Sequence, residues 1–318
     1  MGLWLVTGGT GFLGRHVLSA LAAAEPPGCS EIVALGKHCP PGWASSAFAR
    51  ADLEDADGLV RAMATIEPSV VIHAAGKTPP APPDQLFQVN TRATLQLLAA
   101  LRARNCPVRV VLAGSAAELG PVQHDHLPVS EEHTGLPHDA YGLSKWIASL
   151  AGLASGPPLD VSVARIFNVI GPGMPPSQAF GRFAAQLSSP GPDPIRLMVG
   201  DLDSRRDFVD VRDVARALIA LALRGRRGLA YHVGSGRSHR VGGGLEHLIR
   251  LSGRAVLIES DHTLTVSSGP RDSCADTRRI TAHTGWVAQV NWVQSLADLW
   301  DEVRARPRLP LTPAPSPV

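Results

Sequence analysis

Gly8, Gly11 and Gly14 fall three apart between an apolar run at 3–6 and a helical pattern at 15–24. Nothing else in the chain constrains its fold as tightly. Glycines in that place let the backbone turn sharply out of a strand and into a helix. They also let it approach an anion, which then lies at a helix N-terminus where free N–H groups and the dipole favour negative charge. The alternation continues, with strands expected at 31–35, 70–74, 108–113 and 160–166 and helices at 55–66, 88–104 and 140–153. Strands that are apolar throughout and separated by helices predict a parallel sheet covered on both faces. The expected class is α/β, a doubly wound parallel sheet with ligands at the carboxyl ends of its strands.

After Asn168 the pattern changes. Glycine- and proline-rich breaks at 171–176 and 190–194 frame helices expected at 180–187, 211–223 and 244–251 and a strand at 230–233. The chain therefore divides into a dinucleotide-binding region at 1–167 and a smaller C-terminal substrate-binding region at 168–305. The latter is expected to send one or two elements back to the sheet. From 307 onward five prolines in twelve residues predict a disordered tail, 306–318.

Charge and cysteine usage exclude several function classes. Thirty basic residues against 28 acidic ones leave a net charge of +2, which points to neither nucleic acid nor an anionic membrane as partner. The apolar stretch at 215–223 is too short to span a bilayer. With the first strand expected from Leu3, no signal or transit peptide is expected, and Cys29, Cys39, Cys106 and Cys274 lack CxxC spacing. Reduced thiols in a cytoplasmic protein are the expectation. His124, His126 and His133 share a proline-containing loop without ligand spacing and read as solvated, so no metal is expected.

The end of the second strand bears on the choice of dinucleotide. A carboxylate there would accept from the ribose hydroxyls of NAD. The chain instead reads Gly36-Lys37-His38. NADP(H) is favoured on this ground, with Lys37 and Arg15 as cations for a 2′-phosphate and NAD(H) as the alternative; Lys37 as a plain solvated lysine stays equally open. Gly8, Gly11, Phe12, Leu13 and Gly14 would form the phosphate turn, Asp52 and Leu53 would contact adenine, and Ala74 and Ala75 would let the ribose and nicotinamide pass.

Tyr141 and Lys145 stand four apart, on one face of a helix. An ammonium near a phenol favours the phenolate, which suits the tyrosine to exchanging a proton near neutral pH. Ser115 follows the fourth strand, where its hydroxyl can hold a carbonyl oxygen. Together these three residues predict hydride-transfer chemistry.

Seven ordered motifs then carry a resemblance. TGGTGFLG at 7–14, HAAG at 73–76, VNTRAT at 89–94, Ser115, YGLSK at 141–145, RIFNVIGPG at 165–173 and RRDFVDVRDVA at 205–215 resemble the extended short-chain dehydrogenase/reductase family over residues 1 to about 300. The resemblance implies a Rossmann sheet with a smaller C-terminal substrate-binding domain. It implies Tyr141 as general acid/base, Lys145 as the residue that tunes it and holds the ribose, and Ser115 as the hydrogen-bond donor to the reacting carbonyl. Asn168 and Arg206 would bind the diphosphate of a nucleotide sugar, although Arg206 could instead pair with Asp207, Asp210 or Asp213. Ala116 and Ala117 stand where dehydratases carry an acid pair, which disfavours water elimination and leaves only Glu118 as a nearby carboxylate. The segments at 199–215 and 228–236 are most similar to those of reductases acting on GDP-4-keto-6-deoxymannose.

Departures from that pattern are Leu119 in place of tyrosine, Met174 in place of glutamine and a reordered segment around Arg271. NADPH-dependent reduction of a nucleotide-linked 4-keto-6-deoxy sugar is the expectation, with a nucleotide-sugar epimerase or a non-catalytic NADP-sensing regulator as alternatives. A homodimer is expected through Leu95, Leu98, Leu101, Ile147 and Leu150.

Overall fold

Seven apolar segments form one parallel sheet in the computed structural model, which describes residues 2–261 and 272–305. The chain starts with β1 (Gly2–Thr7), α1 (Phe12–Ala24), β2 (Cys29–Gly36), β3 (Phe48–Arg50), α2 (Ala56–Ile66) and β4 (Val70–His73). A short α3 (Pro83–Leu86) runs through a π-helical turn (Phe87–Arg92) into α4 (Ala93–Ala103). β5 (Val108–Ser115), α5 (Ala140–Leu153) and β6 (Leu159–Ile166) complete the first half. In the second half come β7 (Asn168–Ile170), α6 (Ala179–Ser188), β8 (Ile195–Val199), β9 (Arg205–Asp210), α7 (Val211–Arg224) and β10 (Ala230–Val233). β11 (Ser238–Arg240), α8 (Val241–Ser252), β12 (Val256–Ser260), α9 (Arg278–Thr284) and α10 (Trp292–Ala305) follow.

The sheet runs β10-β6-β5-β4-β1-β2-β3, every pair parallel. Along β1 the side chains alternate between its two faces. Trp4 and Val6 join Val17, Leu18 and Leu21 of α1 and Val214, Leu218 and Leu221 of α7. Leu5 points the other way, to Leu59 and Met63 of α2 and Leu97 and Leu101 of α4. Two buried faces explain why the strands read as unbroken apolar runs. The expected strand at 230–233 is β10, which joins the sheet edge beside β6.

A second core lies outside that sheet. Phe180 and Phe183 of α6, Leu245 and Leu248 of α8, and Leu296, Leu299 and Trp300 of α10 pack around β7, β8 and β9. There β9 pairs parallel with β7 and antiparallel with β11, and β8 pairs parallel with β12.

The structure corrects the sequence reading in three places. Phe48–Arg50, where no strand is expected, is an edge strand on β2, too short to leave a pattern. The helix expected from 88 begins at Pro83, whose fixed φ suits a first helical position. Of the leucines expected at a dimer face, Leu98 is 3% and Leu101 0% exposed, inside the core, whereas Leu95 is 41% and Leu150 43% exposed. The proline-rich tail and Arg271 lie outside the described residues. No helix among those described is long and apolar enough to cross a membrane.

Candidate active site

The glycine turn, Ala74, Ala75 and Ser115 all lie at the carboxyl ends of sheet strands. Gly8 ends the first strand with φ +75°, and a side chain there would press to 2.6 Å from the Ala75 nitrogen, so only glycine lets the two loops touch. Gly11 caps α1, which carries no side-chain cap and no acid in its first turn. A Cβ on Gly11 would meet the Gly8 carbonyl at 3.2 Å and no other close atom. Exposed backbone, uncapped N–H groups and no competing carboxylate fit a pyrophosphate. Phe12 turns into the second core and Leu13 into the first, so both would meet a ligand by backbone alone.

Hydrogen bonds hold the floor of this edge. The Thr7 hydroxyl lies 2.7 Å from His73 Nδ1, and His73 Nε2 lies 2.9 Å from Thr94 Oγ1. Burial pushes His73 down to about 3, which keeps it neutral in that chain. The π-helical turn aims Asn90 inward, where its amide spans both backbone groups of Lys77 and donates to Ser144 Oγ at 3.0 Å. Ser144 in turn donates to the Tyr141 carbonyl at 2.8 Å. These contacts tie the helix of Tyr141 and Lys145 to the loop after β4. In the sequence Asn90 stands only within the VNTRAT motif at 89–94; its partners lie 13 and 54 residues away.

Ser115 ends β5 and Tyr141 opens α5, whose N-cap Asp139 accepts from the Gly142 N–H at 2.7 Å. The Lys145 ammonium donates to the Ala113 carbonyl at 2.5 Å, two residues before Ser115. It also lies on the Gly76 side of the loop after β4, where a Cβ on Gly76 would come to 3.5 Å from it. Burial raises the Tyr141 pKa first of all. The Ser115 hydroxyl pulls it back, and Glu118 and Asp139 push it further up. Burial also lowers Lys145, against Glu118. The structure thus brings Ser115, Tyr141 and Lys145 to one place, with desolvation rather than the neighbouring ammonium dominating the phenol.

Lys37 and Asp52, which the sequence assigned to different parts of one ligand, meet each other. Lys37 Nζ lies 2.9 Å from Asp52 and 3.7 Å from Glu54, and Leu53 packs on the core below. Arg15 turns away from them. Its guanidinium fills the space that a side chain on Gly173 would need.

Asn168 starts β7 two residues beyond Ile166, the strand partner of Ser115, and pairs with Phe208 of β9. Its amide donates to the Asp207 carbonyl at 3.2 Å. Next to it, Arg206 makes no ion pair with any described residue; among those residues its guanidinium donates only to the Arg205 carbonyl, at 2.8 Å. Burial lowers its pKa, opposed by Asp201 and Asp272. The three carboxylates offered as partners are engaged elsewhere. Asp207 accepts from the N–H groups of Ser235, Gly236 and Ala275, Asp210 from Arg212 and Ser295, and Asp213 from Arg216, Gln289 and Val290. A half-buried guanidinium with no ion pair among the described residues suits an anionic ligand. Glu118, the carboxylate left for a dehydratase, is turned into the core.

Comparison with known proteins bears on the fold and the family. The model of the NAD dependent epimerase/dehydratase family matches residues 4–234. GDP-6-deoxy-D-mannose reductase of Pseudomonas aeruginosa is 33% identical over 314 residues, covering 95% of this chain and 97% of that one. A dTDP-6-deoxy-L-talose 4-dehydrogenase (NAD(P)(+)) of Kitasatospora kifunensis is 28% identical over 93% of both chains. Among solved structures, RMD from Pseudomonas aeruginosa complexed with NADPH superposes with a TM-score of 0.82 at 31% identity, over 96% of this chain and 99% of that chain. MoeE5 in complex with UDP-glucose and NAD gives 0.79 at 29%, over 95% and 99%. A glycine turn at the first strand's end, a serine, tyrosine and lysine gathered beyond it, and relatives matched along their whole length place the chain in the NAD dependent epimerase/dehydratase family of extended short-chain dehydrogenase/reductases.

Proposed function

We propose that the protein reduces the 4-ketone of a nucleotide-linked 6-deoxy sugar with NADPH. The observation that carries this reading is Ser115, Tyr141 and Lys145 at one strand edge, with an Arg206 guanidinium that has no described counter-ion on the adjoining small sheet. Bound NADPH supplies a hydride for the carbonyl carbon. Ser115 donates a hydrogen bond to the carbonyl oxygen, and Tyr141 delivers its phenolic proton to that oxygen as the hydride arrives. Burial, by raising the Tyr141 pKa, keeps the phenol protonated and ready to donate. Lys145 is held by the Ala113 carbonyl within reach of a ribose. Arg206 and Asn168 bind the diphosphate of the substrate. Gly8, Gly11, Phe12, Leu13, Gly14, Ala74 and Ala75 line the cofactor's path.

Two features support a reductase over a dehydratase. Ala116 and Ala117 carry no acid or base, and both Glu118 oxygens already accept hydrogen bonds. The absence of an acid at Gly36-Lys37-His38, together with a relative solved with NADPH, supports NADP(H) as cofactor. One observation favours the second reading, an NAD(H)-using epimerase: Lys37 is engaged by Asp52, and that carboxylate stands near the end of β2.

The exposed Leu95 and Leu150, with Leu143 at 36%, support a homodimer formed through α4 and α5. The function is tested by offering the purified protein NADPH and a panel of nucleotide-linked ketosugars. Oxidation of NADPH is expected with a 4-keto-6-deoxy sugar. NADPH left untouched by the whole panel contradicts the proposal.

A further inference from the structure

Glu118 has no part in the reaction above, yet it holds together the elements that carry it. It is 1% exposed, in the turn that follows Ser115. One carboxylate oxygen accepts from the Ser115 N–H and from the Ser149 hydroxyl, each at 2.8 Å, and the other accepts from Arg165 Nε at 3.1 Å. Those partners belong to β5, α5 and β6, which carry Ser115, carry Tyr141 with Lys145, and lead to Asn168. Gly114 makes room for the group, since a Cβ there would stand 2.5 Å from the same oxygen. Burial raises the Glu118 pKa, and the Arg165 guanidinium with the Ser115 and Ser149 donors opposes that by favouring the ionised carboxylate. An apolar side chain would fill this turn at lower desolvation cost, so filling space does not account for a buried charge.

We propose that Glu118 is a positioning residue for hydride transfer, locking Ser115 to the helix of Tyr141 and Lys145 and placing one negative charge beside both. The inference rests on Tyr141 as the proton donor. The charged groups around that phenol are Glu118, Asp139 at the start of α5 and Lys145 one turn along; Arg165 faces Glu118 from β6. A cavity of about 340 Å³ behind the turn, lined by Glu118, Arg165 and Trp146 among others, would admit water if the side chain were truncated, so glutamine is the informative substitution.

The test uses the full chain with NADPH and its ketosugar. Glu118→Gln keeps the shape and one acceptor but removes the charge. Turnover should fall about tenfold or more while NADPH affinity holds. The alkaline limb of the turnover profile, where Tyr141 loses its proton, should move to lower pH, because removing a nearby negative charge favours phenolate. Ser149→Ala removes one hydrogen bond and keeps the charge, so turnover should fall about fivefold with the limb in place. Wild-type turnover in the glutamine variant, or a loss of turnover with the limb unmoved, overturns the proposal. Should the glutamine variant not fold, wild-type turnover in Ser149→Ala overturns it and a reduced turnover supports it. Tyr141→Phe is the control: if it stays active, the catalytic reading itself has failed, separately from the role of Glu118.

Discussion

The seven-stranded sheet around the glycine turn and the small sheet around Arg206 are assembled from different materials. In the first, β1, β4, β5 and β6 bury mostly apolar side chains on both faces, and the polar groups inside include the chain from Thr7 through His73 to Thr94 and the Glu118 carboxylate. In the second, short strands are pinned by buried carboxylates. Asp207 alone accepts from three backbone N–H groups and the Ser235 hydroxyl, and Asp210 at the end of β9 accepts from the Ser295 hydroxyl of α10. Apolar strands give a rigid edge on which a cofactor of fixed shape can lie. Carboxylates that gather distant loops give a region whose surface can vary while its frame stays. The same contrast separates the proposed hydride chemistry from the proposed binding of substrate, and substitutions on each side should separate accordingly.

The largest expected effect is on the sheet side. Tyr141→Phe should lower turnover by about a hundred- to ten-thousand-fold while leaving NADPH binding intact, because only the proton donor is lost. Equilibrium titration of NADPH beside steady-state turnover checks both halves. Next comes Asp207→Ala, which leaves several buried donors without an acceptor. It should destabilise the small sheet by about 3–5 kcal/mol, read from urea unfolding. A loss confined to that sheet would sharpen the comparison; equal loss of NADPH binding would break it. Arg206→Ala should raise KM for the nucleotide-linked substrate by about ten- to a hundredfold with NADPH affinity unchanged. The smallest effect is at the edge. Asp52→Asn frees Lys37 from a half-exposed ion pair and should tighten NADPH binding by about fivefold or less.

The first half was legible because its signals are local. The glycine triplet and the strand before it lie within 14 residues, and Tyr141 and Lys145 share one helix. Even the placement of Ser115 follows from counting strands. What stayed hidden depends on partners far along the chain. Asp207 meets Ser235, Gly236 and Ala275 at separations of 28, 29 and 68 residues, and no spacing announces such a hub. The strands β7, β8, β9, β11 and β12 are three to six residues long and partly charged, too short for a period-two pattern to stand out. Arg206 was visible as a candidate, but which of its neighbouring carboxylates it met was not. The structure answered that by engaging all three elsewhere.

Reduction and epimerisation use the same three side chains, so the fate of the hydride separates them most directly. The measurement is a reaction of the purified protein with a GDP-linked 4-keto-6-deoxy sugar and NADPH carrying deuterium at its transferable position. The account predicts one deuterium at the sugar C4 for each NADPH oxidised. Inversion of a nucleotide sugar at C4 with no net oxidation of the cofactor and no deuterium in the product would contradict it.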